Sequence, residues 1–416
     1  MKKADFYQIG EIHVLHLRNI KKNYTQGANK KTALNGITMS FRDQEFVTLL
    51  GTAGSGVTPL LNMLGGLDPY DSGEFIINGC STSTFSQWQW DAYRNNSVGF
   101  IFRSHHLIEH LTILDNITLG IALTEGDRKI VKGQGLIALE KVGLKQVANQ
   151  MPKELTEAQL RRIGIARALV GDPAVILANE PTATMEEKES HDIMKLIKEI
   201  AEDKLVIMVT ANEGYANSYA DRIVAFDNGE IIGDTNPYVG NDKRDDYELQ
   251  HVTLSHTAAI KLTLKYMRTK KWHLGLITLL FTLAMVTLPL FGIVLPVVAL
   301  TIMIIHSISD VKCRESEISM MRSLGARNID IARLIITQNV TMGFLASFLG
   351  MGATYGITLW INRRADTIAA IIHIGELTFL QGLALLFFGT TVAAIGGFIP
   401  AYFATKINPV VTFKEE

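Results

Sequence analysis

The chain has 416 residues, a length that predicts two or three domains. Its net charge of −1 offers no electrostatic basis for nucleic-acid binding, and its two cysteines, Cys80 and Cys313, exclude a disulfide framework. The histidines lack metal-ligand spacing, so no metal site is predicted. Up to about Pro237 the sequence mixes charged and apolar residues as a soluble α/β domain does, whereas long apolar runs follow Trp272.

The first part of the chain alternates predicted strands and helices. Strands are predicted at 12–17, 32–41, 45–50, 74–78, 97–102, 174–177 and 205–210, with a hairpin at 222–232 and a helix at 155–170. Tyr24 falls in a predicted polar loop after the first strand. This alternation implies a mainly parallel sheet whose ligand crevice lies at the carboxyl ends of its strands.

A glycine-rich loop joins the predicted strand 45–50 to a helical stretch at 60–64. Its residues are Gly51, Thr52, Ala53, Gly54, Ser55, Gly56, Val57, Thr58 and Pro59. The spacing is that of the phosphate loop G-x-x-x-x-G-K-[ST]. Val57 replaces the lysine that reaches the β- and γ-phosphates, while Thr58 keeps the hydroxyl that would hold magnesium. Pro59 removes one backbone donor from an anion site built of such donors.

Residues 12–233 resemble the ATPase domain of ABC transporters of the lipoprotein-release and MacB type. The matching segments occur in the same order as in the family. Residues 60–68 and 72–74 follow the glycine-rich loop, and residues 98–102 precede the Q-loop. Residues 163–169 follow the signature, and residues 180–182 follow the Walker B strand. The resemblance implies an α/β P-loop NTPase fold. It also implies ATP and Mg²⁺ as ligands, with two such domains paired in a dimer.

The resemblance assigns a role to each candidate position. Tyr24 would stack on adenine, although a strand-end tyrosine is an equally good interpretation, and Glu180 would be the general base. The nucleotide-binding positions are Gly51, Gly54, Ser55, Gly56, Val57, Thr58, Arg103 and Asn179. The signature positions are Leu155, Thr156, Glu157, Ala158 and Gln159, and Ala211 occupies the switch position.

Several of these positions depart from the family pattern. The family's lysine, glutamine, two signature glycines, aspartate and histidine are replaced by Val57, Arg103, Glu157, Ala158, Asn179 and Ala211. Losing one charge-assisted hydrogen bond costs roughly 1.5–3 kcal/mol, so several losses weaken phosphate binding by several powers of ten. We therefore predict a pseudo-ATPase that acts as a scaffold or regulatory subunit. Two alternatives are an ATP-driven exporter or mechanotransmission permease, and a nucleotide sensor that binds without turnover.

The second part of the chain predicts an all-α transmembrane domain of four helices, at residues 254–416 after a linker at 234–253. Residues 254–271 predict an amphipathic helix on the inner membrane surface. Spans are predicted at 272–288, 291–307, 334–360 and 377–403. Positive charge between the second and third spans places that segment, and both termini, on the cytoplasmic side of the cell membrane.

Residues 315–327 and 399–409 resemble FtsX/MacB-type permeases. In that family the segment after the second span couples the membrane helices to the ATPase domain, which here assigns coupling roles to Glu315, Glu317, Arg322, Gly325 and Arg327. We expect a dimer with itself or with an active ABC relative. Relatives usually carry an extracellular domain between the first two spans, where this chain has a few residues. A further hypothesis pairs Arg103 with Glu315 or Glu317.

Overall fold

The computed structural model describes residues 15–26, 29–123, 127–240, 249, 253–269, 275, 279, 294–364, 379–407 and 409. The chain divides into two compact units. The first comprises Met1–Leu254, Ser319–Arg327 and Asn408–Glu416, and the second comprises Ser255–Ile318 and Asn328–Ile407. A short segment from the second half of the sequence therefore belongs to the first unit.

Two sheets form the frame of the first unit. The antiparallel sheet has the order β2-β1-β4-β5, with β1 Leu15–Gln26, β2 Asn29–Phe41, β4 Ser72–Ile77 and β5 Cys80–Ser81. The second sheet has the order β10-β9-β3-β8-β7-β6. Its strands are β3 Glu45–Leu50, β6 Val98–Ile101, β7 Val175–Asn179, β8 Leu205–Thr210, β9 Arg222–Asp227 and β10 Glu230–Asp234.

The second sheet is parallel except for β10, which pairs antiparallel with β9. Its central strand β8 is buried along its whole length, as expected for a parallel strand covered on both faces. Helices of this unit are α1 Val57–Leu64, α2 Gln87–Asn96, α3 Ile113–Thr118, α4 Arg128–Lys141, α5 Glu157–Leu169, α6 Glu187–Ala201 and α7 Glu213–Tyr219. The predicted α/β P-loop fold with a mainly parallel sheet is confirmed.

The predicted placement of Tyr24 in a loop is wrong. Strand β1 continues to Gln26, and Tyr24 pairs across the sheet with Lys31 of β2. Pairing with β2 alone extends β1 beyond Lys21, through a polar stretch that carries no apolar strand pattern.

The second unit is helical. Its helices are α8 His256–Thr269, α9 Val294–Cys313, α11 Asn328–Arg364 and α12 Phe379–Thr405, while α10 Glu315–Ser323 crosses the division between the units. Among the described residues, Asn328–Gly356 and Leu380–Thr405 are long and apolar enough to cross a membrane. They overlap the third and fourth predicted spans. The second predicted span overlaps α9, and the first lies outside the described residues apart from Gly275 and Leu279.

A buried polar cluster joins three helices of the second unit. The Tyr266 hydroxyl on α8 donates to Asp310 on α9, and Gln338 on α11 donates to the other Asp310 oxygen at 3.0 Å. The guanidinium of Arg314 lies 3.9 Å from the centre of the Tyr266 ring. The buried face of α8 is therefore fixed to its neighbours. Its predicted place on a membrane surface stays a prediction.

Candidate nucleotide site

The phosphate-type loop between β3 and α1 is held by backbone hydrogen bonds from two sides. Gly51 N donates to Thr210 O at 3.3 Å, and Gly229 N, in the β9–β10 turn, donates to Ser55 O at 2.8 Å. Gly56 has φ 101°, and a Cβ there would lie 2.4 Å from Ala33 O. Only glycine meets both conditions, so the loop keeps the conformation of a phosphate cradle.

A pocket of about 290 Å³ opens over this loop. Seven of the predicted site residues line it together: Tyr24, Gly51, Gly54, Gly56, Val57, Thr58 and Glu180. Lys31 also lines it, and the sequence analysis did not identify that residue. The hydroxyl of Ser55 is buried in the loop and has no hydrogen-bond partner among the described residues.

Val57 lines the pocket and is also packed against the protein interior. Its side chain is 4% exposed and belongs to the hydrophobic core under the second sheet. The residue that replaces the lysine thus contributes to packing, and the loop carries no cation of its own.

Tyr24 is fixed at the edge of the pocket by Asp68. Its hydroxyl donates to Asp68 Oδ2, and Lys22 contacts the other carboxylate oxygen at 2.8 Å. Burial and the Asp68 carboxylate raise the Tyr24 pKa above its ordinary value, so the side chain is an uncharged phenol. Tyr24 thus lies within β1, near its end, and also lines the pocket. Its stacking on adenine stays a prediction.

The retained base position, Glu180, forms an ion pair with the residue at the Q-loop position. Arg103 Nε lies 3.3 Å from Glu180 Oε2. Glu180 itself has φ 44°, a left-handed conformation that is uncommon for a side-chain-bearing residue. The hypothesis that pairs Arg103 with Glu315 or Glu317 stays a prediction. Within the second unit, Glu317 accepts from Arg314 Nε at 3.0 Å.

The signature positions form the amino-terminal turn of α5, away from this pocket. Thr156 Oγ1 accepts from Gln159 N at 3.3 Å, and the Gln159 side chain accepts from Thr156 N at 3.0 Å. Glu157 Oε1 lies 3.3 Å from Arg161 Nη2. Leu155 and Ala158 are partly buried on either side of this cap. The sequence analysis missed Arg161, whose i, i+4 spacing from Glu157 was the available signal.

His105 lies 3.7 Å from Glu157 and is neutral at neutral pH. Burial is the main cause that lowers its pKa, and the charges of Arg161 and Arg167 act in the same direction. Burial also lowers the pKa of the neighbouring His106, to about 4. The carboxylate of Glu157 is therefore balanced by one buried arginine and not by a histidinium.

The residues around the pocket fit a phosphate better than a magnesium ion. Asn179 ends β7 as a neutral amide, Ala211 follows β8 with no polar side chain, and Glu180 is engaged by Arg103. In the part of the chain that the structure describes, no three acidic, histidine or cysteine side chains converge on one point. Thr58 alone offers the family's hydroxyl ligand.

Part of the predicted coupling segment packs in the first unit. Met320 is 1% exposed and joins the main core of that unit. Asn95 Nδ2 donates to Leu324 O at 2.8 Å. Gly325 has φ 89°, and a Cβ there would lie 2.4 Å from Asp91 O. Close backbone approach to α2 therefore requires glycine at this position.

Charged groups surround the same contact. Arg94 Nε donates to Arg322 O at 3.3 Å, and Arg94 also pairs with Asp91. Burial raises the pKa of Asp91 and lowers the pKa values of Arg94 and Arg322. Of the other predicted coupling residues, Arg327 ends the segment in the first unit, whereas Glu315 and Glu317 belong to the second.

Comparison with known proteins agrees with this architecture. The ABC transporter family profile matches residues 34–183. An uncharacterized ABC transporter ATP-binding protein of Methanocaldococcus jannaschii is 34% identical over 219 residues, which are 53% of this chain and 98% of that protein. The chain belongs to the ABC transporter family. The lipoprotein-releasing system ATP-binding protein LolD 2 of Chlorobaculum tepidum is 34% identical over 226 residues, or 52% of this ABC protein and 91% of the relative.

The second unit of this ABC protein carries the permease match. The FtsX-like permease C-terminal profile matches residues 289–409, so the predicted fusion of an ABC ATPase domain to an FtsX-like permease domain is confirmed. The macrolide export ATP-binding/permease protein MacB of Chlorobaculum tepidum is 33% identical over 222 residues, which are 53% of this chain. This ABC protein matches 34% of the length of that relative.

A solved structure supports the fold of the first unit. The ATP-binding cassette MJ0796, a dimer in a post-hydrolysis state bound to ADP and phosphate, is 31% identical with a TM-score of 0.50. The match covers 55% of this ABC protein and 100% of that cassette. Nucleotide binding and dimer formation are thus properties of a relative with the same fold.

Proposed function

We propose that this ABC protein is a MacB/FtsX-type membrane subunit that does not hydrolyse ATP and acts as a scaffold or regulatory subunit. It would pair with an active ABC relative or with itself. The observation that carries the proposal is the ion pair between Arg103 and Glu180. The one retained catalytic carboxylate is engaged by a cation at the position from which a glutamine would orient the attacking water.

The chemistry of phosphoryl transfer explains why this arrangement opposes turnover. Catalysis depends on positioning the nucleophile and on stabilising charge around the transferred phosphoryl group. The Arg103 guanidinium occupies the side of the Glu180 carboxylate that would have to meet the attacking water, so it competes with that water. Asn179 supplies no negative charge to a metal, and Val57 supplies no cation to the phosphate.

The signature turn supports the same proposal for the second half of a shared site. In the family, each ATP lies between the loop of one domain and the signature of the other. Here Glu157 places a carboxylate on the first turn of α5, where a phosphate of the partner's nucleotide would approach. The chain would therefore impair both composite sites of a dimer.

The decisive experiment measures ATP turnover by the purified full chain in lipid nanodiscs. We expect no turnover above that of empty nanodiscs. The comparison protein carries Val57→Lys, Asn179→Asp and Arg103→Gln, which restore the family's residues around the loop and free Glu180. Any gain in turnover should appear only in this variant.

The rival function, an ATP-driven exporter or mechanotransmission permease, makes the opposite prediction. It requires magnesium-dependent turnover by the unaltered chain, at a rate that the three restoring substitutions change little. That result would reject the proposed pseudo-ATPase. Macrolide export is the activity in the names of MacB relatives, and this chain spans a third of their length.

A further inference from the structure

A lysine outside the loop faces the position that lacks a cation. We infer that Lys31 replaces the missing lysine of the phosphate loop, so that the site retains a nucleoside polyphosphate without turning it over. The inference deepens the proposed function, because it assigns a ligand to a site that the proposal treats as catalytically silent.

The position of Lys31 follows from strand pairing. It is the cross-strand partner of Tyr24, so both side chains lie at the same end of the β1–β2 pair. Its ammonium nitrogen lies 3.8 Å from the point at which a Cβ on Gly54 would sit. Both Lys31 and Gly54 line the pocket over the loop. A cation on β2 therefore reaches the loop at Gly54.

The charge balance of the pocket favours an anion. Among the described residues that line it, Lys31 is the one cation and Glu180 the one anion. Glu180 is paired with Arg103, whereas no ion pair or hydrogen bond within the described part of the chain engages the Lys31 ammonium. The net charge that remains for a ligand is positive.

The loop beneath Lys31 provides further donors. The Ser55 hydroxyl is 3% exposed as a residue and lacks a partner among the described groups. Apart from Pro59, the first residues of α1 carry backbone N–H groups without a partner inside the helix, and such groups favour an anion. The loop therefore adds neutral donors to the charge of Lys31.

The ligand class follows from what else lines the pocket. Tyr24 presents an aromatic ring at the edge of the same space as the loop. A phosphate or pyrophosphate would use only the loop and Lys31, whereas a nucleotide would also contact the ring. The shared space favours a nucleoside polyphosphate over a free phosphate.

The test is an equilibrium binding measurement on the full chain in nanodiscs, by isothermal titration calorimetry with ATP, pyrophosphate and adenosine. Lys31→Met keeps the length of the side chain and removes its charge. We expect it to weaken ATP binding about 10- to 100-fold, the effect of losing one charge-assisted contact. Adenosine binding should not change.

Two variants make the result specific. Lys21→Met removes an exposed lysine from the neighbouring strand, outside the residues that line the pocket, and should leave ATP binding unchanged. Adding Val57→Lys to Lys31→Met should restore binding, because it returns the cation from the family's position. Thermal unfolding midpoints of Lys31→Met and Lys21→Met should match that of the unaltered chain, since both lysines are exposed.

The inference is rejected if the unaltered chain fails to bind ATP at millimolar concentration, or if Lys31→Met and Lys21→Met give equal affinities. Pyrophosphate binding equal to that of ATP would reject the nucleotide and leave a polyanion site. ATP turnover by the unaltered chain would reject the proposed function while a Lys31-dependent affinity would still stand, so the two failures are distinguishable.

Discussion

Glu157 illustrates how one residue can favour the fold and oppose the family's chemistry. An acidic side chain in the first turn of α5 interacts favourably with the positive end of the helix dipole. Arg161, one turn later, is buried and forms an ion pair with that carboxylate. The same negative charge would repel a phosphate at the helix start. Stability of the helix and recognition of a phosphate thus make opposite demands on this position.

The cap of the same helix gives a prediction at the residue scale. Replacing Thr156 by alanine removes the hydroxyl that accepts from Gln159 N, and we expect a loss of about 1 kcal/mol in the free energy of unfolding. For a unit of this size that loss corresponds to a fall of about 2–4 °C in the unfolding midpoint. Thr156→Ser retains the hydroxyl and should behave as the unaltered chain. Equal midpoints for the two variants would show that the cap contributes nothing measurable.

At the scale of elements, the segment Ser319–Arg327 is held in the first unit by packing and by backbone geometry. Met320 fills the core, Asn95 donates to Leu324 O, and Gly325 lets the chain pass close to Asp91. None of these contacts depends on an exposed charge pair, which would be worth little. The contact is therefore expected to persist at high salt.

Gly325→Ala tests this contact. The substitution adds a Cβ that would lie 2.4 Å from Asp91 O and imposes a left-handed conformation on alanine. We expect it to lower the free energy of unfolding by about 1–3 kcal/mol. Gly133→Ala, inside α4 with open space around the new Cβ, is the matched control and should be neutral or stabilising. Thermal unfolding in nanodiscs measures both, and equal midpoints would contradict the account.

At the scale of the whole molecule, the permease match and two apolar helices indicate a membrane protein. The last turn of α9 and the residues that follow it carry a series of basic side chains, which favours the cytoplasmic side. They are Lys312, Arg314, Arg322, Arg327 and Arg333. The proposed topology of four spans with both termini inside depends on this charge distribution.

Cys313 offers a direct test of that topology. It is exposed, whereas Cys80, the other cysteine, is partly buried. In a Cys80→Ser chain, a membrane-impermeant maleimide should label Cys313 in inside-out vesicles and not in right-side-out vesicles. Labelling only from the outer side would overturn the proposed orientation. A Cys313→Ser chain controls for reaction elsewhere.

The hydrophobic pattern of the sequence predicted strands best where both faces of the strand are buried. The ranges predicted for β3 and β8 agree with the structure because a buried parallel strand is a continuous apolar run. Tyr24 was misplaced because the end of β1 is polar and is fixed by its pairing with β2. Extended pairing of this kind leaves little trace in the hydrophobic pattern.

The candidate site was predicted as a set of positions and not as a set of contacts. The family resemblance assigned Tyr24, Gly51 and Glu180 to one site, and all three line the pocket over the loop. The contact of Arg103 with Glu180 and the approach of Lys31 to Gly54 join residues distant in sequence. No local spacing in the sequence indicates such pairs. For Lys31 alone, its place opposite Tyr24 in a β-hairpin could have indicated that it lies near the site.

The contribution of Ser319–Arg327 to the first unit has a consequence for the order of events during synthesis. The ribosome finishes residues 15–254 well before it makes this segment, and α9 must emerge in between. Domains usually fold as they leave the ribosome. Here the core of the first unit lacks Met320 until the polypeptide beyond α9 has been made. The first unit can thus be completed only after translation has passed α9. A nascent chain that stalls there would leave exposed the apolar surface that Met320 normally covers. Chaperones and proteases recognise exposed apolar surfaces of this kind.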